Sequence, residues 1–207
     1  MTATSRFDEA ARTWDTPPRV EIARAVFGAI RDRGLVGPGT RALDFGAGTG
    51  LLTLAISDVA AEVTALDTSG EMLRVLGEKL AAGGVTNVRT VRADLSAGGT
   101  IGGKFDLVTS SMSLHHVRDT ARLLASFHGL LAPGGRIALA DLDREDGTFH
   151  SDNAGVEHFG FDRAELVRLV EAAGFSDVGC DIIHTVKRER DGVMRGYDIF
   201  LLTGTRA

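Results

Sequence analysis

The residues best suited to chemistry fall in four short clusters, each directly after an apolar run. Asp44-Phe45-Gly46-Ala47-Gly48-Thr49-Gly50 places glycine at every second position. Such spacing lets a backbone come close to a ligand, with N–H groups and a helix start at hand. Asp67 lies seventeen residues after Gly50, and a carboxylate there can accept both hydroxyls of a ribose. Ala93-Asp94-Leu95 and Ser110-Ser111-Met112 end two further apolar stretches, and His115-His116 follow the second. An imidazole near neutral pH can take a proton from a hydroxyl or an amine, having an ordinary pKa of about 6.5. The same pair could equally anchor a loop.

The elements that must position these groups alternate between two periods. Val20, Ala23, Phe27 and Ile30 recur at helical spacing behind Pro17-Pro18, a favourable helix opening. Arg41–Phe45, Glu62–Leu66, Asn87–Ala93, Phe105–Ser110 and Arg136–Leu142 read as strands. Between them lie helical stripes at Leu51–Ile56, at Met72, Leu73, Leu76 and Leu80, and at Leu123, Leu124, Phe127, Leu130 and Leu131. A last helix through Leu166, Leu169, Val170 and Ala173 is closed by Gly174. Alternation of this kind predicts an α/β fold, an open and mostly parallel sheet with helices on both faces. Val178–Val186 and Tyr197–Thr203 break the pattern. Only the charged stretch Lys187–Gly196 joins them, too short for a parallel crossover, so the two strands must be antiparallel.

Composition narrows the class. The chain has 207 residues, 43% apolar and 25% charged, which suits one globular domain of ordinary make-up. No stretch approaches the roughly 18 apolar residues of a membrane span, and Met1–Arg12 has no apolar core of signal-peptide kind. With one cysteine, Cys180, an internal disulfide is impossible and a cytoplasmic setting is expected. The net charge of −5 argues against a nucleic-acid-binding face. Lysine supplies only Lys79, Lys104 and Lys187 of 23 basic residues, a bias expected of GC-rich bacterial coding.

The motif set resembles that of class I S-adenosylmethionine-dependent methyltransferases. Ala42 to Gly50 looks like their first motif, Arg92-Ala93-Asp94-Leu95 their adenine-side motif, and Phe105-Asp106-Leu107-Val108 through Leu114-His115-His116-Val117 their fourth. Leu130-Leu131-Ala132-Pro133-Gly134-Gly135-Arg136 is similar to their connection before the fifth strand. The opening Phe7-Asp8-Glu9-Ala10-Ala11-Arg12-Thr13-Trp14-Asp15 resembles the small ubiquinone/menaquinone-biosynthesis group. The resemblance implies a Rossmann-like three-layer sandwich of seven strands, with one antiparallel strand, Tyr197–Thr203, beside Arg136–Leu142.

It also implies roles. Gly46, Ala47, Gly48 and Gly50 would line the methionine half of S-adenosylmethionine, with Asp44 anchoring its ammonium group directly or through water. Asp67 would bind the ribose, with Thr68 beside it. Met72 would lie against adenine, Asp94 would accept from its amino group, and Ala93 and Leu95 would flank the ring. Ser110 and Ser111 would offer backbone contacts near the sulfonium, and Trp14 would close the site. His115 is the candidate catalytic residue. In that layout one domain comprises N-terminal helices over the site (1–34), a cofactor-binding core (40–142), a substrate lid (144–160) and a final helix and hairpin (161–207).

Asp141 and Asp143, with His150 and His158, match no standard metal spacing. They read as a solvated loop, and no metal is expected. The bulky Leu51 after Gly50 disfavours a nicotinamide-dependent oxidoreductase. A catalytically silent S-adenosylmethionine-binding module is the other alternative. No Asn/Asp-Pro-Pro-aromatic motif, Pro-Cys pair, paired glutamates or cysteine trio is present, so the expected acceptor is a small molecule, methylated at oxygen, nitrogen, sulfur or carbon. A monomer or homodimer is expected.

Overall fold

A computed structural model describes residues 3–207. Its sheet holds seven strands: β1 (Arg41–Phe45), β2 (Glu62–Asp67), β3 (Val88–Arg92), β4 (Phe105–Ser111), β5 (Leu131–Leu142), β6 (Phe175–Arg190) and β7 (Val193–Arg206). Their spatial order is β3-β2-β1-β4-β5-β7-β6. β1 to β5 pair in parallel, and β7 runs antiparallel to both its neighbours. The expected architecture is therefore present, including the insertion of β7 beside β5.

Alternate residues of each strand feed two apolar layers. Leu43, Val108, Ile137 and Leu139 face α5 (Thr120–Leu130) and α6 (Arg163–Ala172), where Leu123, Phe127, Leu166 and Val170 are buried with them. Ala42, Val63, Leu107 and Ala138 face α2 (Pro17–Asp32) and α3 (Leu51–Ser57), against Ile22, Val26, Ile30, Leu52 and Ile56. Helix α4 (Gly70–Gly83) packs Leu73, Leu76 and Leu80 with Ala65 of β2. Side-chain caps fix three helix starts: Ser69 accepts from Met72 N, Asp119 from Arg122 N and Asp162 from Glu165 N. The chain winds outward from β1 in one direction and from β4 in the other. The crevice between the ends of these two strands is the topological switch point, where open α/β sheets bind ligands.

Two extents differ from expectation. Leu131 belongs to β5 rather than to the preceding helix. The segment Lys187–Gly196 is not a loose connection but strand, paired residue for residue as far as Arg190 with Val193. Asp191 and Gly192 form the turn with φ of 52° and 77°, the both-positive pattern of a tight two-residue hairpin. Its charged, exposed side chains hid it, since a hairpin arm overhanging the sheet has no core face to give it alternation.

Candidate functional site at the switch point

The glycine turn after β1 is tightly enclosed. Gly46 and Gly50 have φ of 68° and 85°, and a Cβ at either would come within 2.3 Å of Ser113 Oγ or Leu76 Cδ1 respectively. Neither position tolerates a side chain. Gly46 N and Ala47 N both donate to Leu66 O, at 2.8 and 3.0 Å. Gly48 N donates to Asp67 Oδ2 and Ser69 N to Asp67 Oδ1, each at 2.8 Å. The loops after β1 and β2 are thus stitched through one carboxylate, each oxygen of which keeps a lone pair for a further donor. Burial pushes Asp67 above the ordinary carboxylate range. The N–H groups of Ser69, Gly48 and Thr68 oppose that rise, and nearby Asp8 reinforces it.

Asp44 lies beneath this turn, 1% exposed. Thr53 Oγ1 donates to its Oδ2 at 2.6 Å and Thr109 Oγ1 to its Oδ1 at 3.1 Å. Burial pushes its carboxyl up to about 6 against those two hydrogen bonds. Met72 and Leu95 are buried, and Ala93 packs against the cluster that holds Leu95. Asp94 Oδ1 accepts from Ser96 Oγ and Ala97 N at 2.6 and 3.1 Å, while Thr68 O accepts from Arg92 Nε at 3.1 Å. Ser110 is fully buried, and its hydroxyl has no hydrogen-bond partner among the described residues. Ser111 O accepts from Ser113 Oγ at 3.2 Å. Met112 follows with φ of 57°, an uncommon conformation for a side-chain-bearing residue and one that concentrates at functional sites.

The N-terminal segment covers the turn. α1 (Ala3–Ala10) and a 3-10 turn at Ala11–Thr13 bring Trp14 Nε1 to 3.8 Å from where a Gly48 Cβ would stand, with Met72 Sδ at 3.9 Å. Arg19 lies over the indole at 3.7 Å, and Phe7 meets it edge-on at 5.7 Å. Asp8 accepts from Ser69 Oγ, and Asp15 accepts from Thr49 Oγ1 and Lys79 Nζ.

The histidines form a cluster that the sequence reading did not assemble. His115, 1% exposed, directs Nδ1 to Asp141 Oδ1 at 2.7 Å and Nε2 to His150 Nε2 at 3.2 Å. Asp141 is wholly buried, not part of a solvated loop. Burial favours its neutral form, but the His115 ring and the N–H groups of Leu142 and His115 outweigh this and hold the carboxyl below the usual range. Ser111 pairs with Ala140 across β4 and β5, so Asp141 stands one residue beyond that pair, next to the turn carrying His115. An acid at the end of a strand adjoining a His-His turn was the available signal. His116 donates from Nδ1 to Gly155 O at 2.7 Å and meets Phe7 edge-on at 5.2 Å. Phe7 thereby joins the histidines to the cover over Gly48. Among the described residues no group of three or more His, Cys, Asp or Glu side chains is arranged to hold a metal ion.

The 144–160 segment arches over this cluster with its ends together, Arg144 N donating to Phe161 O and Glu145 N to Phe159 O, both at 3.0 Å. Arg188 and Arg190 of β6 donate to Phe149 O, and Tyr197 of β7 meets Thr148 Oγ1 at 2.8 Å. Arg6 donates to Asp152 O and Ala154 O at 3.1 and 2.9 Å. Hairpin and N-terminal helix hold the segment from two sides.

Residues 42–135 match the family model of the methyltransferase domain. An uncharacterised methyltransferase of Schizosaccharomyces pombe is 29% identical over 154 residues, 67% of this chain and 54% of that protein. The ubiquinone biosynthesis O-methyltransferase of Xanthomonas axonopodis pv. citri is 32% identical over 120 residues, 58% and 50% of the two chains. A solved S-adenosylmethionine-dependent methyltransferase from Aquifex aeolicus superimposes with a TM-score of 0.72 at 19% identity, covering 97% of this chain and 98% of that one. The YcgJ protein of Bacillus subtilis gives 0.73 at 17%, covering 87% and 97%. The chain spans about half the length of the curated relatives it matches. Motifs, sheet order and the match over residues 42–135 agree: this part of the chain is a methyltransferase domain with the class I S-adenosylmethionine-dependent fold, and its relatives include ubiquinone-biosynthesis O-methyltransferases.

Proposed function

We propose that this chain transfers a methyl group from S-adenosylmethionine to a small-molecule acceptor. The observation that carries the reading is the pairing of a side-chain-intolerant glycine turn with Asp67, whose two oxygens are each aligned by one backbone N–H and keep lone pairs for a ribose. The site fits the cofactor in its donor set. Asp67 would accept the ribose hydroxyls with Thr68 alongside, and the backbone of Gly46, Ala47, Gly48 and Gly50 would face the methionine half. Asp44 would supply negative charge beneath its ammonium group. Met72, Ala93, Asp94 and Leu95 would frame adenine, and Ser110 and Ser111 would bring backbone near the sulfonium.

When bound, S-adenosylmethionine supplies an electrophilic methyl carbon open to in-line displacement. The work left to the protein is orientation and exclusion of water, and orientation alone can supply on the order of 7–11 kcal/mol. Trp14 with α1 closes one side, and the 144–160 segment closes the other. His115, oriented by Asp141, is the candidate basic group, set behind His150 as seen from the lid.

A single domain acting as monomer or homodimer in a bacterial cytoplasm, without nucleic acid, completes the proposal. No helix among the described residues is long and apolar enough to cross a membrane. Calorimetry with S-adenosylhomocysteine tests the binding half. The wild-type chain should bind it in preference to a nicotinamide dinucleotide, and Asp67→Ala should lose roughly 1.5–3 kcal/mol of affinity with the two charge-assisted acceptors. Unchanged affinity in that variant would refute the assignment. A turnover screen with labelled methyl donor against small phenols, alcohols, carboxylates, amines and thiols tests the catalytic half; binding without any transfer would favour the silent module.

A further inference from the structure

We propose that His150, carried on the 144–160 segment, takes the proton of the acceptor and passes it to His115, and that the acceptor atom is a neutral hydroxyl oxygen. The proposal rests on the methyltransferase reading and deepens it by naming the acceptor class.

With His115 neutral, the hydrogen bonds set the direction of each proton. Asp141 is buried and ionised, so it can only accept, and His115 must present Nδ1–H to it across 2.7 Å. In the resting state of the relay His115 is neutral, with a bare Nε2. The His150 Nε2 that stands 3.2 Å away must therefore carry a hydrogen and donate it. This leaves Nδ1 of His150 unprotonated. That atom has no hydrogen-bond partner among the described residues, on a ring that is only partly buried. The carboxylate has set, through two rings, a free lone pair on the lid.

The surroundings decide where the charge can rest. Burial pushes His150 down to about 3; the titratable and charged groups facing it are His115 and His116 of the Leu114–His116 turn, Arg188 of β6 and Arg6 of α1. Alone it is a poor store for a proton. As a conduit it needs no such capacity. The acceptor oxygen uses a lone pair to bond the methyl carbon while the carbon–sulfur bond breaks and its electrons stay on sulfur. The O–H proton passes to Nδ1 of His150, the Nε2 proton of His150 passes to Nε2 of His115, and the positive charge comes to rest on His115 against Asp141. The bond between the two rings then persists with its direction reversed. A relay of this kind serves an acceptor that is a weak nucleophile until its proton leaves, as an alcohol or phenol is; a thiol, whose thiolate is within reach of neutral pH, needs it less.

Long-range proton–nitrogen NMR of the full chain, labelled at histidine and held at pH 7.5, reads the tautomers without any cofactor or acceptor. Nδ1–H on His115 and Nε2–H on His150 are expected, and Asp141→Asn should scramble the tautomer of His150, 26 and 35 residues being bridged only through the His115 ring. Should Asp141→Asn fail to fold, His150→Gln must leave the His115 tautomer in place. Nδ1–H on His150, or a His150 tautomer indifferent to Asp141→Asn, overturns the relay. In turnover, His150→Gln should lower kcat at least 10²-fold with a hydroxyl acceptor. KM and the Kd for S-adenosylhomocysteine should stay within about twofold. An undiminished kcat, or a wild-type chain that methylates only thiols, amines or carbon, overturns the assignment. Failure to bind S-adenosylhomocysteine with the tautomers as stated would instead sink the methyltransferase reading, and the acceptor assignment with it, leaving only the Asp141–His115–His150 hydrogen-bond chain.

Discussion

Asp44 sits at the point where a buried carboxylate and a ligand cation would meet, and its protonation becomes an observable. Burial holds it at about 6, so below that pH the group is a neutral acid clasped by Thr53 and Thr109. If the ammonium group of the cofactor is anchored there, binding selects the ionised form, and affinity must rise as pH climbs through 6 and level off above it. The Kd for S-adenosylhomocysteine is expected to weaken by about tenfold from pH 7 to pH 5, measured by calorimetry, with Asp44→Asn weaker and flat across the window. A wild-type profile no steeper than that of the variant would remove Asp44 from the ammonium site. At this scale the sequence was most informative where the backbone itself is constrained. Gly46 and Gly50 announced a close approach because no other residue fits there. It was least informative for His115, whose partners lie 26 and 35 residues away and meet only through the register of β4 with β5 and the fold-back of the 144–160 segment.

The 144–160 segment and the hairpin that holds it work as a pair of elements. Glu157 N and His158 N both donate to His115 O, and Gly155 O accepts from His116, so this segment is fastened to the very turn that carries the histidines. Burial, then the neighbouring His115, hold His116 at about 4, whereas an unfolded histidine titrates near 6.5. Between those values the unfolded chain takes up a proton that the native chain refuses. Stability from this group is therefore present above about 6.5 and is lost as pH falls toward 4. His150 acts with the same sign; Asp44 and Asp67, raised rather than lowered, act with the opposite one. His116→Gln should flatten the acid limb of a denaturant-unfolding profile between pH 7 and pH 4.5 by on the order of 1–3 kcal/mol. An identical slope in the variant would show that His116 is not carried neutral in the fold. The hairpin arms that clamp Thr148 and Phe149 read as a connection in the sequence because Lys187–Gly196 is charged and has no apolar face. Asp191-Gly192 was the turn signal that could have extended them.

At the scale of the whole molecule, the α/β alternation was legible because each strand and helix has its own apolar period. The placement of α1 over the site came only from the family resemblance, since a short polar helix lying across a crevice is set by partners distant in the chain. That placement has a kinetic consequence. Trp14 stands over Gly48, and α1 is latched by Asp8 to Ser69 and by Asp15 to Thr49 and Lys79. We expect a cofactor seated on the glycine turn to reach it only after this cover lifts. Entry is then gated, and at high ligand concentration the observed binding rate should level off at the rate of opening. Trp14 is the sole tryptophan of the chain, so its emission in stopped-flow mixing with S-adenosylhomocysteine reports the event directly. The Asp15–Lys79 pair is partly exposed, at 34% and 28%, and such pairs contribute roughly 0.2–1 kcal/mol. Asp15→Ala should therefore raise the limiting rate by about two- to fivefold, with release accelerated alongside entry and the Kd changed less than either. A rate that climbs linearly with concentration in both proteins would mean that the cofactor enters by a path the N-terminal segment does not guard.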